Sequence, residues 1–561
     1  MNRSDGGYIA IVKPVAIVGS DPSVGSDAAT LNAPTARHRR NILCVSPKYA
    51  PSFGTFQHSY KLLPGVSAFM PPQGLLVISA YLPREWRVRF IDENKARATS
   101  EDFAWADAVF ISGMHVQRQA INGINARAHA HGKLTVLGGP SVSALPDYYP
   151  DVDILHMGEL GDATNAIIAH IDDSPRRPDR QLVFTTDARL PLEQFPLPAY
   201  DQIKLGDYFL GSVQFSSGCP FRCEFCDIPA LYGRNPRLKS PEQILRELDA
   251  MLASGARGTI YFVDDNFVAN KKAAHALLPH LIRWQRDRGY PIHFACEATL
   301  NLAQMPELLA MMREADFRTV FVGIETPEPA ALAAMEKRQN LRLPILEAVE
   351  IFNRHGLEVV SGMILGLDTD TPETGAALKS FIDLSMIPLL TINLLYALPR
   401  TPLHDRLRLA GRLLSDDAAA ARVSNVDFLM PYAEVVGMWR DVVATAYAPA
   451  RLFDRFRHQL RHTFPNRTTP GPKPTWKMAL FGLRVLGRVL WHAGIIAGWR
   501  REFWKLCGPL LLKGRIEDVI YVGIVSYHLI TFTRAIEAGS SEASFYADPS
   551  RSKWFAERRA A

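Results

Sequence analysis

Between Val213 and Tyr396 six apolar, β-leaning runs recur, separated by helical stretches. The runs are Val213–Ser217, Thr259–Val263, Ile292–Cys296, Thr319–Ile324, Glu358–Ile364 and Thr391–Tyr396. Pro241–Ala253, Lys271–Gln285, Met305–Glu314, Pro344–His355 and Pro372–Leu384 read as helices. Continuous apolar strands alternating with helices make parallel sheets, and six such units predict a partial (β/α)6 TIM-type barrel over residues 211–415. In such barrels the working side chains stand at the carboxyl ends of the strands. Cys219, Cys223 and Cys226, spaced C-x3-C-x2-C, follow the first run directly and are three of only six cysteines in 561 residues. Three soft thiolates this close suit an iron–sulfur cluster or zinc. A closed zinc site needs a fourth ligand, which His293 or Cys296 could supply only through the fold; a cluster on three thiolates leaves one iron open.

The other strand ends are polar. Asp264-Asp265-Asn266 ends the second, Glu297 and Thr299 the third, Gly323 and Glu325-Thr326 the fourth, and Gly366, Asp368 and Thr369 follow the fifth. A carboxylate there either accepts from a ligand ammonium or caps the next helix. Arg234 and Arg237, in the loop after the cysteines, either pair with an anion or lie in solvent.

Residues 41–165 show a second alternation, with strands at Asn41–Ser46, Arg87–Ile91, Asp107–Ser112, Leu134–Leu137 and Asp153–Met157 and helices at Gln73–Leu82 and Val116–His131. This predicts a Rossmann-like parallel sheet, whose ligands bind at the carboxyl ends near the switch point. Ser112-Gly113, Gly138-Gly139-Pro140 and Gly158-Glu159-Leu160-Gly161 fall there; glycine lets a bulky ligand approach the backbone, and it also simply makes turns. Residues 166–210 read as a linker, because Pro191, Pro196 and Pro198 exclude a helix from Leu190–Tyr200. Residues 1–40 read as a mobile leader without a signal peptide, since Lys13 and Pro14 break its apolar run. Cys44, Cys296 and Cys507 are scattered, so no disulfide framework is expected and the cytoplasm fits.

Residues 416–561 read as a helical, basic region ending in a loose tail from Asp548. From Arg451 to Arg534 there are 15 Lys+Arg and 4 Asp+Glu, a balance of +11; against a net charge of +6 the remainder carries −5. An anionic surface is the implied partner. Trp476–Trp499 and Val519–Phe532 are apolar but too short of uncharged residues to span a bilayer, so they either lie in a membrane interface or pack on the barrel.

The cysteine loop SGCPFRCEFCDIP, with Phe225 before the last cysteine, resembles the radical S-adenosylmethionine (SAM) superfamily. The resemblance implies a [4Fe–4S] cluster on the three cysteines whose open iron binds SAM. It also implies SAM contacts from Phe225, Asp264, Asp265, Glu297, Gly323 and Glu325, although D-D-N stands where the family commonly has G-G-E. Met70-Pro71-Pro72-Gln73-Gly74-Leu75 together with the glycine loops resembles the cobalamin-binding domain that precedes many radical SAM barrels. On that resemblance Pro72, Gly74, Ser112, Gly138, Gly139 and Glu159 contact cobalamin. The usual D-x-H-x-x-G loop is replaced by Ser46-Pro47-Lys48-Tyr49, so no histidine from it ligates cobalt, and His115 is read as a pocket liner or structural residue. The whole order is similar to cobalamin-dependent radical SAM methylases, and most of all to bacterial hopanoid C-2 methylases. That family implies methylation of an unactivated lipid carbon, an electron donor of flavodoxin or ferredoxin type, and a cytoplasmic place peripheral to the inner face of the membrane. Another lipid or natural product as substrate, with methylation or ring closure, is the rival within the class; a non-catalytic metal- or cobalamin-binding regulator is the rival outside it. No second cysteine triad supports a methylthiotransferase, and nucleic acid is not expected as a partner, RNA being the rival for the basic segment.

Overall fold

The computed structural model describes residues 10–11, 34–414, 424–471 and 475–538. Most of the leader and all of the tail read from Asp548 lie outside them. The chain forms two compact units, one from residues up to Tyr49 with Pro72–Ile203, the other from Ala50–Pro71 with Lys204 onward.

The first unit is built on a parallel sheet of β1 (Ala10–Ile11), β2 (Asn41–Ser46), β3 (Arg87–Asp92), β4 (Ala108–Ser112), β5 (Leu134–Gly138), β6 (Ile154–Met157) and β7 (Leu182–Thr185), in the order β1-β7-β6-β5-β4-β2-β3. Alternate side chains feed two cores: Ile42, Cys44, Ala108 and Phe110 face one side, Leu43, Val45, Val109 and Ile111 the other. That is why these strands read as unbroken apolar runs. The order reverses between β2 and β4, which puts the switch point at their carboxyl ends.

Two strands correct the sequence reading. β7 lies in the stretch read as linker, where Leu182 and Val183 pair with Ile154 and Leu155 of β6; the Pro, Arg and Asp residues just before it conceal a four-residue strand. β1, from the stretch read as a mobile leader, pairs with β7 in parallel. Leu190–Tyr200 forms no α-helix, and Leu190 and Leu192 are buried.

The second unit holds β8 (Gly211–Val213), β9 (Ser216–Ser217), β10 (Arg237–Leu238), β11 (Thr259–Phe262), β12 (His293–Ala298), β13 (Phe317–Glu325), β14 (Glu358–Leu365) and β15 (Leu389–Leu394). Six of them make a parallel sheet in sequential order, β8-β11-β12-β13-β14-β15, each separated from the next by helix, which is the expected (β/α)6 arrangement; β9 and β10 form a small antiparallel pair. Both edges of the sheet are sealed. On β15 the Tyr447 hydroxyl bonds the backbone of Leu390, and Trp439 Nε1 donates to Ile392 O at 2.9 Å. Beside β8, Phe209 N and Leu210 N donate to Ala68 O and Phe69 O at 2.8 and 2.9 Å, and Ser212 Oγ donates to Pro71 O at 3.1 Å. Covered edges remove a template for unwanted strand pairing.

Residues 50–71, read as part of the first domain, therefore belong to the barrel unit. They also pack on the last described helix, Ile516–Glu537: Ser59 Oγ donates to Ile524 O at 2.6 Å, and Phe53 meets Phe532 edge-on at 4.8 Å. The C-terminal region is mainly helical, with helices Tyr432–Ala446, Pro449–His462, Trp476–Val489 (continued as a π-helix through Ile496), Arg500–Leu512 and Ile516–Glu537. Against the sequence reading, Trp476–Ile496 and Ile516–Glu537 are each long and apolar enough to cross a membrane by length and composition, because their windows tolerate up to two charges. Ile516–Glu537 is a core helix, 67% of its apolar window being buried, whereas only 28% of the Trp476–Ile496 window is.

Candidate active site

The cysteine loop is positioned by the second-strand acids. β8 stops at Val213, short of the run read as one strand, because the next amides leave the ladder: Phe215 N and Ser216 N both donate to the Asp264 carboxylate. Burial pushes this carboxyl up to about 7, against the pull of those hydrogen bonds. Asp265 accepts from Gly218 N at 2.8 Å. Gly218 has φ +100°, and a Cβ there would lie 2.9 Å from Gly233 O, so the bend into Cys219 requires glycine. Asp264 is thus committed to the backbone of the loop. Arg237 donates to Ser217 Oγ and Arg234 to Pro220 O, at 3.1 and 3.0 Å, so both arginines serve the loop itself.

Further along, Glu224 N donates to Met335 O and Glu224 O accepts from Leu403 N, each at 3.0 Å. The Glu224 carboxylate takes both arms of Arg406, which also reaches Asp368 at 2.6 Å; Arg412 binds Asp368 from the other side at 2.7 Å. A chain of alternating charges so ties the middle of the loop to the fifth strand end.

Cys226 N donates to Cys223 O at 3.1 Å and Cys219 N to Gly233 O at 3.2 Å. The three thiols act on one another electrostatically. Burial pushes the Cys219 thiol up to about 11 and the Cys226 thiol higher still. Among the described residues no three His, Cys, Asp or Glu side chains are closed to metal-ligating distance. Three soft sulfurs on one anchored loop fit a cluster or metal that takes thiolate ligands.

At the fourth strand end Glu325 adopts φ +67°, and its carboxylate forms a buried ion pair with Lys337. Gly323 leaves room for the pair, since a Cβ there would meet Glu325 Oε1 at 2.3 Å and Lys337 Nζ at 2.6 Å. Lys337 Nζ lies 5.3 Å from the centre of the Phe225 ring, and Gln339 Nε2 donates to Cys223 Sγ at 3.5 Å. Glu297, on β12, is pushed up to about 8 by burial and by Asp265, against a hydrogen bond from Tyr261. Of the six residues expected to face SAM, Phe225, Gly323 and Glu325 gather around Lys337, Asp265 and Glu297 interact beside the loop, and Asp264 stands behind it. Lys337, Gln339, Arg406 and Arg412 escape sequence reasoning. The only signal for the first two is a polar M-E-K-R-Q-N run after the fourth strand unit.

In the first unit Ser112, Gly138 and Gly139 meet at the carboxyl edge: a Cβ on Gly139, at φ +98°, would lie 2.6 Å from Ser112 Oγ. Gly158 N donates to Ser143 Oγ at 2.9 Å, and Glu159 pairs with Arg189 at 3.0 Å. Pro72 caps Gln73–Tyr81, and a Cβ on Gly74 would meet nothing within 4 Å. His115 lies against Tyr148, ring centres 5.2 Å apart.

The Radical SAM superfamily profile matches residues 213–382, and a domain of unknown function (DUF4070) matches 401–542. The hopanoid C-2 methylase of Rhodopseudomonas palustris (strain TIE-1) is 56% identical over 518 residues, 92% of this chain and 98% of that protein. The chain belongs to the hopanoid C-2 methylase family of radical SAM enzymes. Among solved structures, the radical SAM methyltransferase TsrM from Kitasatospora setae with cobalamin and [4Fe-4S] cluster bound shares the fold, with TM-score 0.55 at 16% identity, covering 86% of this chain and 99% of that one. The cobalamin-dependent radical SAM enzyme OxsB aligns with TM-score 0.54 at 15% identity, covering 92% and 84%. For a radical SAM methyltransferase of this family, the strand-end acids and the cysteine loop occupy the mouth of the barrel, where the fold places chemistry.

Proposed function

We propose that this enzyme methylates C-2 of a hopanoid, using SAM, a [4Fe–4S] cluster and cobalamin. The observation that carries the reading is the 56% identity along 92% of the chain to a hopanoid C-2 methylase. Cys219, Cys223 and Cys226 hold the cluster; three thiols on one anchored loop fit a group that needs soft, anionic sulfur. Phe225, Asp265, Glu297, Gly323 and Glu325 surround SAM, with Asp264 fixing the loop. Pro72, Gly74, Ser112, Gly138, Gly139 and Glu159 cradle cobalamin, the glycines giving close backbone approach. When bound, these groups supply an electron from a flavodoxin- or ferredoxin-type donor, a hydrogen-abstracting radical and the methyl group. The chain's own residues position the reactants and exclude water. Expression in a host making only unmethylated hopanoids, followed by lipid mass spectrometry, tests the reading: 2-methylhopanoids appear with the intact chain, and their absence from cells holding cluster-loaded protein removes the substrate.

Glu297 makes the SAM contact testable by pH. With its carboxyl raised to about 8, it is protonated at pH 7, and a seated ammonium favours the carboxylate. SAM binding is expected to release a proton at pH 7 and to tighten as the pH rises from 6 to 8, by about tenfold per unit at most. Isothermal titration in two buffers of different ionisation enthalpy measures this, and Glu297→Gln should weaken the pH dependence, leaving the part that Asp264 contributes.

The enzyme also sits peripherally on the inner face of the membrane, from which it draws its lipid. Trp476, Leu483, Trp491, Ile495, Ile496 and Leu512 are all more than half exposed. Between residues 475 and 516 eight Lys/Arg stand against one Glu. Exposed tryptophans and cations beside a largely unburied apolar helix favour an anionic bilayer interface. Trp491→Ser with Ile495→Ser is expected to cut co-flotation with phosphatidylglycerol vesicles at least tenfold. Unchanged flotation would remove this surface from the account.

A further inference from the structure

Lys337 is 6% exposed, and among the described residues its ion-pair partner is Glu325. Its charge nevertheless reaches the cysteine loop. Lys337 Nζ stands 5.3 Å from the centre of the Phe225 ring, and Phe225 directly precedes Cys226 in that loop. The ammonium is the member of the pair that meets the loop, over the Phe225 ring. Gln339, two residues on, points an amide N–H at Cys223 Sγ at 3.5 Å.

We propose that Lys337 and Gln339 are positioning residues that set the reduction potential of the cluster on Cys219, Cys223 and Cys226, by compensating the charge its sulfurs carry. The inference rests on the cluster assignment above. Reduction takes one electron from the flavodoxin- or ferredoxin-type donor, moves no proton, and adds one negative charge inside a partly buried loop. A fixed ammonium there stabilises the more negative form, and an N–H donated to a ligating sulfur does the same more weakly. The ammonium lies over the Phe225 ring of the loop and is itself 6% exposed, so little water screens its charge. Glu325 holds the ammonium in place, and Gly323 makes space for both.

The test is an EPR-monitored redox titration of the full chain, reconstituted anaerobically, with iron and sulfide measured in every sample. Lys337→Met is combined with Glu325→Gln, so that no lone carboxylate is left buried. At a fixed potential the reduced-to-oxidised ratio is expected to fall about tenfold in this variant, a 59 mV drop for a one-electron couple. Gln339→Leu should lower the midpoint by less, and Lys337→Arg should keep it near that of the parent. A merely structural role would change cluster loading and leave the midpoint of the loaded fraction where it was. Unchanged midpoints in both loaded variants overturn the proposal. If the double variant binds no iron, Gln339→Leu decides alone, its midpoint falling or the proposal failing. Failure of the parent chain itself to bind iron would instead strike the cluster assignment, so the two failures are distinguishable.

Discussion

Cys226→Ala is expected to release no 5′-deoxyadenosine from SAM under reducing conditions, while the parent chain does. The side chain lost is one of three sulfur donors, and two cannot hold a cluster with an open iron in the same place. The fold should be untouched. Cys226 contributes its backbone N–H to Cys223 O, which alanine retains, and the loop is otherwise held by Asp264, Asp265 and the Glu224–Arg406–Asp368 chain. Liquid chromatography of the nucleoside, alongside a melting curve, separates lost chemistry from lost structure. Deoxyadenosine from the variant at parental rate would sink the assignment of the three cysteines.

Lys239→Met is expected to cost about 3–5 kcal/mol of stability, because it strands a buried carboxylate. Lys239 and Glu247 meet at 2.6 Å with side chains 0% and 3% exposed. Burial already pushes the Glu247 carboxyl above its ordinary value, with Lys239 pulling the other way. Without the lysine the carboxyl rises further. A carboxyl whose folded value lies above its unfolded one loses stability as the pH rises, so the deficit should be small near pH 5 and grow towards pH 8. Adding Glu247→Leu should recover most of the loss, since an apolar pair of similar volume removes both charges from the interior. Urea unfolding at both pH values checks all three statements. The effect should also reach the active site, because Lys239 N donates to Phe215 O at the root of the cysteine loop.

Much of this was legible in the residues. Strand–helix alternation carried the parallel barrel, because strands buried on both faces leave unbroken apolar runs. The cysteine spacing located the loop, because few chemistries need three thiols in eight residues. What stayed hidden is what depends on partners distant in sequence. Val213–Ser217 reads as one strand, and only the Asp264 carboxylate, about fifty residues on, explains why the ladder stops at Val213. Nothing in D-D-N tells which acid braces the backbone and which stands beside Glu297. Lys337 looks like an ordinary surface lysine in a charged run until Glu325 is brought under it. Leu182–Thr185 is too short to announce a strand without the neighbour it pairs with.

The excursion of residues 50–71 into the barrel unit bears on how the chain is made. Ser59 and Ile524, which it brings together, are 465 positions apart. The ribosome delivers this segment before any strand of the barrel and delivers the helix that covers it last. Until the Ile516–Glu537 helix is made, the aromatic side of the segment has no complete cover, and such surfaces invite aggregation. Assembly of the catalytic unit is therefore a late event that waits on the Ile516–Glu537 helix. A chain cut short before Ile516 should be captured by chaperones rather than accumulate as a smaller enzyme.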